Sequence, residues 1–338
     1  MKGKILMASN SISRFFALCK TPYGAISKDN ALEKIEYLKE KTKEYLNIPK
    51  GEYLSGIGHQ AGNYEQYPKD PKEIGPDTVD ISESMKQSFD VYGLDGIEID
   101  IQIDQENIID QGIKDVYVVH NKLENGLETC AIEYLKRNTL EKVLEYFIDA
   151  NYFEKNKHIY VEIKCDNSEK LKKQEESVIE GALNVIDKLL EKNPQEFAEK
   201  FCKHISFVSF NYKALEKIAI LSNGRHSLFL IPASNRFLGW IASKIFCPQF
   251  NYLGRKLKKA LSESELITGV WFDPCAVNDF GKIFNEINQK RENSGELKPL
   301  RIFVSTYLLE KNDYFDRMKT EVEGLKNVDG LIFEIKSK

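Results

Sequence analysis

Short apolar runs recur along the chain from about residue 51 onward. Nine of them are typical of buried strands: YLSGIGH, DGIEIDIQI, DVYVVH, IYVEIK, ISFVSF, HSLFLI, GVWFDP, RIFVSTY and DGLIFEI. Between most of them lie stretches such as TLEKVLEYFIDANYFEK and SVIEGALNVIDKLLEK, whose apolar residues recur with the period of an amphipathic helix. This alternation of strands and helices predicts a parallel sheet with helices packed outside it.

The region 51–338 has a length that suits a (β/α)8 TIM barrel. Nine runs are one more than the barrel needs. The run at 115–120 follows the run at 96–103 too closely for a helical crossover, so we expect it to fold back on the second barrel strand. The alternative is an open, doubly wound sheet. The barrel is favoured because no Gly-rich phosphate loop follows the first strand.

Residues 1–50 are interpreted as an N-terminal extension that is partly helical. Within it, NALEKIEYLKEKTKEYLN predicts a charged helix with one apolar stripe. No window of about 18 uncharged apolar residues predicts a transmembrane helix, and SNSISR interrupts the apolar start, which argues against a secretory signal. We therefore expect a cytoplasmic protein or, less favoured, a secreted one without a recognisable signal peptide.

Charge and cysteine content exclude several classes of function. The net charge of −4 over 338 residues gives no basic footprint for nucleic acid. The six Cys are scattered without a C-x-x-C pair, which argues against a zinc site and against a disulfide framework.

The five His divide into two groups along the predicted barrel. Three of them precede strands and should lie at the bottom of the barrel: His158, His204 and His226. His59 and His120 each end an apolar run instead. Because active sites of TIM barrels lie at the carboxyl ends of the strands, His59 and His120 are the candidate catalytic residues.

Charged residues also interrupt two of the apolar runs. Glu98 and Asp100 are two apart in GIEID, and Glu162 and Lys164 are two apart in VEIK, so each pair points to one face of its strand. Buried carboxylates that repel each other need compensation, and a hard divalent cation, Ca²⁺ or Mg²⁺, is the simplest one. We expect one such ion on Glu98, Asp100 and Glu162. A purely structural ion network is the alternative.

Three carboxylates, two His and a Lys at one end of a barrel suit a phosphate ester as substrate. A metal would polarise a phosphoryl oxygen, one His would act as general base and the other as general acid, and Lys164 could hold the phosphate. No G-x-S-x-G motif supports a nucleophilic serine, and Cys165 points away from the face of Lys164.

These motifs resemble the glycerophosphodiester phosphodiesterase family. GHQAG, GIEID, VVHN and VEIK occur in that family's order, and FVSF and VDGLIFE are similar to its later motifs. Over residues 51–338 the resemblance implies a TIM barrel with catalytic His59 and His120 and a cation on Glu98, Asp100 and Glu162. It also implies hydrolysis of a phosphodiester to an alcohol and a phosphomonoester.

Departures from the family pattern keep two other functions open. Gln60 is expected to bind the phosphate with Lys164, but it offers only a neutral donor where the family has an Arg that would bind the phosphate as a charged, bidentate donor. Asn121 replaces the Asp after the second His, and PDT at 76–78 is all that remains of a longer motif. One alternative is a phospholipase D-like enzyme that contacts membrane phospholipid or sphingolipid through the apolar segment SLFLIPASNRFLGWIASKIF. The other is a binding module with weak catalysis.

Overall fold

The computed structural model describes most of the chain. The described residues are 26–46, 48, 52–62, 67–68, 70–104, 109, 115–121, 123, 125–164, 169–193, 195–232, 253–272, 280–306, 325 and 328–336. Cys165 and most of the apolar segment considered for membrane contact lie outside these residues, so both interpretations stay predictions.

Eight parallel strands form a closed barrel. Their bounds are β2 (Ser55–Gly58), β3 (Gly96–Ile103), β5 (His158–Ile163), β6 (Ile205–Ser209), β7 (Ser227–Leu230), β8 (Gly269–Phe272), β9 (Arg301–Ser305) and β10 (Gly330–Phe333). Each strand pairs with the next in this order, and β10 pairs with β2 to close the sheet. The prediction of a (β/α)8 TIM barrel is confirmed.

The ninth run forms a short strand, β4 (Val116–Val118), which pairs antiparallel with β3. Its partners are Ile101–Ile103, beyond the point where β2 stops pairing with β3. One edge of β3 pairs with β5 along most of its length. The other edge pairs first with β2 and then, beyond the end of β2, with β4. The predicted fold-back on the second barrel strand is confirmed. Because β4 runs antiparallel to β3, its carboxyl end points towards the carboxyl end of β2.

Helices follow most of the barrel strands. Those described are Ala31–Leu46, Ile81–Lys86, Thr129–Arg137, Leu140–Asp149, Glu169–Glu191, Gln195–Cys202, Tyr212–Leu221, Arg255–Glu263 and Phe280–Ser294. Among the described residues, none of the helices is both long enough and apolar enough to span a membrane.

Aromatic rings fill the lower part of the barrel. Tyr160, Phe229, Trp271 and Phe303 pack in one buried cluster. Glycine makes room for them: a Cβ at Gly96 would lie 2.7 Å from the ring of Tyr160. Since rings pack this part of the interior, the carboxyl ends of the strands are the place to look for a site.

The N-terminal segment packs against the barrel. Strand β1 (Ile26–Ser27) pairs with β11 (Ile335–Lys336), and the helix Ala31–Leu46 buries Ile35 and Leu38 in the main hydrophobic core. Lys39 of this helix is buried and forms an ion pair with Asp95, the residue before β3, at 3.3 Å. Residues 26–46 therefore contribute to the core, whereas a boundary at residue 50 stays a prediction.

Candidate active site

Three carboxylates converge inside the barrel, from the middle of β3 and from the carboxyl end of β5. Asp100 and Glu162 are register partners on these neighbouring strands, and Glu98 precedes Asp100 by two residues on the same face. All three residues are buried, with exposures of 3 % or less. Each offers an oxygen atom, and these oxygens lie within 4.8 Å of one another. The structure thus brings the three predicted cation ligands together.

Lys164 completes this cluster from the end of β5. Its Nζ lies 2.9 Å from Asp100 Oδ1 and 2.9 Å from Glu162 Oε1, while a quarter of its side chain is exposed. The alternation of side chains along β5 places Lys164 on the same face as Glu162, and its four methylenes let the ammonium fold back onto both carboxylates. It is therefore an ammonium on the boundary between the buried cluster and solvent.

The charges of the cluster perturb each other in opposite directions. Burial, together with the charges of Asp100 and Glu162, raises the pKa of Glu98 well above its usual value. Burial also disfavours an ionised Asp100, but Lys164 and the two histidines outweigh it and lower the pKa of Asp100. Burial opposes the charge of Lys164, yet the carboxylates raise the pKa of that ammonium above its usual range. The positive charge of Lys164 therefore mainly stabilises the negative charges of Asp100 and Glu162. Glu98 is the carboxylate whose negative charge is compensated least.

A left-handed turn directly after β2 positions His59 and Gln60. Gln60, Ala61 and Gly62 have φ angles of 50°, 54° and 68°. Left-handed backbone is costly for residues other than Gly, and such strain persists only where surrounding contacts impose it. The Gln60 N–H donates to Glu98 Oε2 at 2.8 Å, and Ser88 Oγ donates to the Ala61 carbonyl at 2.6 Å. These two contacts hold the turn against the acidic cluster.

The imidazole of His59 lies between two buried carboxylates. Its Nε2 is 3.8 Å from Glu98 Oε2, and its Nδ1 is 3.4 Å from Glu334 Oε1. About a fifth of the side chain is exposed, so a molecule in the barrel mouth can reach it. His59 thus meets the geometric demand on a proton-transfer group: its orientation is fixed by neighbours and one side faces solvent.

His120 enters the same end of the barrel from β4. Val119 N–H donates to the Asp100 carbonyl, and His120 N–H donates to the Pro68 carbonyl, both at 3.0 Å. The ring is half-buried, and its Nδ1 lies 2.8 Å from Asn121 Oδ1. The charge of His120 contributes to lowering the pKa of Asp100, which places it in the electrostatic neighbourhood of the cluster. Both predicted catalytic histidines therefore lie at the same end of the barrel.

Among the described residues, Glu334 is a carboxylate of this site that the sequence did not single out. It directly follows β10 and is buried at 6 % exposure. Its only sequence signal is a carboxylate at the end of the last apolar run, inside the motif VDGLIFE. Barrel closure makes it relevant, because β10 pairs with β2 and so places Glu334 beside His59.

The remaining histidines lie at the opposite end of the barrel. His158 begins β5, and His204 and His226 precede β6 and β7. The rings of His158 and His204 lie 4.7 Å apart. Their position agrees with the one expected for them, at the bottom of the barrel.

The residues of the acidic cluster fit a hard divalent cation. All donors are carboxylate oxygens, which Ca²⁺ and Mg²⁺ prefer. Within the described part of the chain, Glu98 Oε1 and Asp100 Oδ2 are buried without a hydrogen-bond partner. Buried charged atoms in that condition are costly, and coordination would satisfy them.

Comparisons with known proteins give no family assignment. No family model matches the sequence, and no curated protein matches it. Among solved structures, a calcium-dependent phosphoinositol-specific phospholipase C from the Gram-negative bacterium Pseudomonas sp. is 12 % identical over 83 % of this chain and 88 % of that chain, with a TM-score of 0.37.

A second solved structure is the endo-beta-N-acetylglucosaminidase from Cordyceps militaris. It is 10 % identical over 86 % of this chain and 84 % of that chain, with a TM-score of 0.31. At these scores neither likeness identifies an activity for this chain.

Proposed function

We propose that this chain hydrolyses a phosphodiester of the glycerophosphodiester class to an alcohol and a phosphomonoester, in a reaction that depends on a divalent cation. The observation that carries the proposal is the convergence of three buried carboxylates with an ammonium and His59 at the mouth of one barrel. Hydrolysis of a phosphodiester needs positive charge beside the non-bridging oxygens, which the cation and Lys164 would supply, and a proton acceptor and donor, which His59 and His120 would supply.

The cation would be held by Glu98, Asp100 and Glu162. When bound, Ca²⁺ or Mg²⁺ would polarise a phosphoryl oxygen and offset its charge. Lys164 is a protein cation at the same place, and because a quarter of its side chain is exposed, it could reach an anionic phosphate bound in the barrel mouth.

The two histidines carry the proton transfers in this proposal. His59 takes a proton from the attacking water as its oxygen forms a bond to phosphorus. His120 gives a proton to the leaving alkoxide oxygen as the phosphorus–oxygen bond to the alcohol breaks. Glu334 and Glu98 orient the His59 ring and stabilise its charge once it is protonated.

The neutral Gln60 makes substrate affinity depend on the cation and Lys164. Its backbone is committed to Glu98, and its side chain is 3 % exposed. Without a guanidinium at this position, the phosphate loses a charge-assisted hydrogen bond of roughly 1.5–3 kcal/mol against about 1 kcal/mol for a neutral one.

Turnover of glycerophosphocholine and of bis(p-nitrophenyl) phosphate by the purified chain tests the proposal. Activity should be absent in excess EDTA and return with Ca²⁺ or Mg²⁺. A His59→Ala variant should be inactive, and a His158→Ala variant, which changes a His at the opposite end of the barrel, should retain activity.

Full activity in EDTA would contradict the cation site. Tight binding of a phosphodiester without turnover would favour the binding module. Hydrolysis of phospholipid vesicles in preference to glycerophosphocholine would instead favour the phospholipase D-like alternative, for which the described residues provide no separate observation.

A further inference from the structure

We propose that Lys164 is an internal cation that competes with the divalent cation for Asp100 and Glu162, so that metal binding releases the ammonium towards the phosphate. This inference rests on the proposed function and deepens it, because it names what regulates the affinity of the acidic cluster. It starts from one geometric fact: a single Nζ lies 2.9 Å from an oxygen of each of these two carboxylates.

The same two carboxylates are two of the three candidate metal ligands. Asp100 is fully buried, and the side chain of Glu162 is 5 % exposed, so neither can exchange partners with bulk water. An ammonium and a divalent cation that share these carboxylates repel each other strongly, because the buried environment screens charge weakly. Binding of the metal therefore works against the two ion pairs of Lys164.

The side chain of Lys164 is free to change its conformation when the cation binds. Its side chain is a quarter exposed, whereas the carboxylates it contacts are buried, and its flexible stem can swing the ammonium into the barrel mouth. The released ammonium then lies where a phosphate would approach. The order of events follows from this geometry: the cation binds first, and Lys164 becomes available to the anionic substrate second.

Metal affinity measured by calorimetry on the EDTA-treated, full-length chain tests the competition directly. The variant Lys164→Met keeps the length and apolar stem of the side chain and removes its charge. We expect Ca²⁺ or Mg²⁺ to bind this variant at least about tenfold more tightly than the wild type. In thermal unfolding, the variant should be less stable than the wild type without metal and should gain more stability from added metal.

Lys39→Met is the matched control. Lys39 is a buried Lys that pairs with a half-buried carboxylate, Asp95, and it lies at the opposite end of the barrel. Its loss should leave the metal affinity unchanged. Acylation of lysines by an amine-reactive reagent, read by peptide mass spectrometry, gives a second readout: labelling of Lys164 should rise on addition of metal, whereas labelling of Lys39 should not.

An unchanged or weaker metal affinity in Lys164→Met would overturn the inference, as would labelling of Lys164 that does not respond to metal. If the wild type shows metal-dependent turnover in the same preparation, the competition alone has failed and the proposed function stands. If neither the wild type nor the variant binds metal, the cation site of the proposed function has failed as well.

Discussion

His59 Nδ1 lies 3.4 Å from Glu334 Oε1, although 275 positions separate the two residues in the chain. The contact exists because β10 closes the barrel against β2. Backbone pairing supports it, since the Glu334 carbonyl accepts the Ile26 N–H at 2.7 Å. The N-terminal segment thus helps to fix the carboxylate that orients the proposed general base.

Replacing Glu334 by Gln should lower kcat by about ten- to a hundredfold with little change in KM. Gln keeps the size of the side chain but removes the negative charge that stabilises a protonated His59. Glu334→Asp, which keeps the charge, should recover part of the loss. Steady-state kinetics of both variants provide the measurement, and a Gln variant as active as the wild type would mean that Glu334 has only a structural role.

The two histidines should differ in how they depend on the leaving group. p-Nitrophenolate leaves without protonation, whereas the alkoxide of glycerophosphocholine needs a proton. His120→Ala should therefore lose about a hundredfold or more in turnover of glycerophosphocholine and much less with bis(p-nitrophenyl) phosphate. His59→Ala should lose activity with both substrates. The opposite pattern would exchange the roles of acid and base.

Asp100→Asn should abolish restoration of activity by Ca²⁺ or Mg²⁺ after EDTA treatment. The substitution removes one ligand charge and one of the two ion pairs of Lys164. Asp95→Asn is the matched control, because Asp95 also pairs with a Lys but lies at the bottom of the barrel. Calorimetric titration with metal should show weak binding for Asp100→Asn and normal binding for Asp95→Asn. Equal affinities would place the cation elsewhere.

Much of this site follows from local pattern in the sequence. Alternation along a strand places Glu98 with Asp100 on one face and Glu162 with Lys164 on another strand's equivalent face, and carboxyl ends of parallel strands meet at one end of a barrel. The short connection before 115–120 likewise predicts its fold-back. These inferences need only strand geometry and chain length, so the sequence suffices for them.

Glu334 and the backbone of Gln60 could not be predicted in this way. The role of Glu334 depends on which strands become neighbours when the barrel closes. The left-handed turn contradicts the local preferences of Gln60 and Ala61, and contacts from Glu98 and Ser88 impose it. Both features come from tertiary structure rather than from any pattern within a few residues.

Lowering the pH should destabilise the fold through His158, which lies at the amino-terminal end of the barrel strands. The pKa of His158 is lowered from 6.5 to about 4, mainly because the residue is buried. The charges of His204 and Arg301 also lower this pKa, whereas the charge of Asp95 raises it. The unfolded chain therefore binds a proton at His158 more readily than the folded chain does. The contribution of His158 to the free energy of unfolding is fully present above pH 6.5 and is lost as the pH falls from 6.5 to about 4.

His158→Gln should therefore show a smaller fall in Tm than the wild type between about pH 7 and about pH 4.5. Thermal unfolding followed by circular dichroism across this range is the measurement. A fall in Tm equal to that of the wild type would mean that other groups cause the acid sensitivity.

The backbone strain at Gln60 separates a binding role from a structural one. Glycine adopts φ angles near 50° without the penalty of about 1–2 kcal/mol that other residues have there. Gln60→Gly should thus keep its thermal stability, because relief of strain offsets lost packing. If the Gln60 amide binds the phosphate, KM for glycerophosphocholine should rise several-fold, by about the value of one neutral hydrogen bond.

Ala61→Gly is the control for this experiment, since it relieves the same kind of strain at a φ of 54° and leaves the Gln60 side chain in place. Its KM should match that of the wild type. If both variants raise KM equally, the rigid turn, rather than the amide of Gln60, is what substrate binding requires. If neither does, the Gln60 side chain serves packing only, and the cation with Lys164 is left to bind the phosphate.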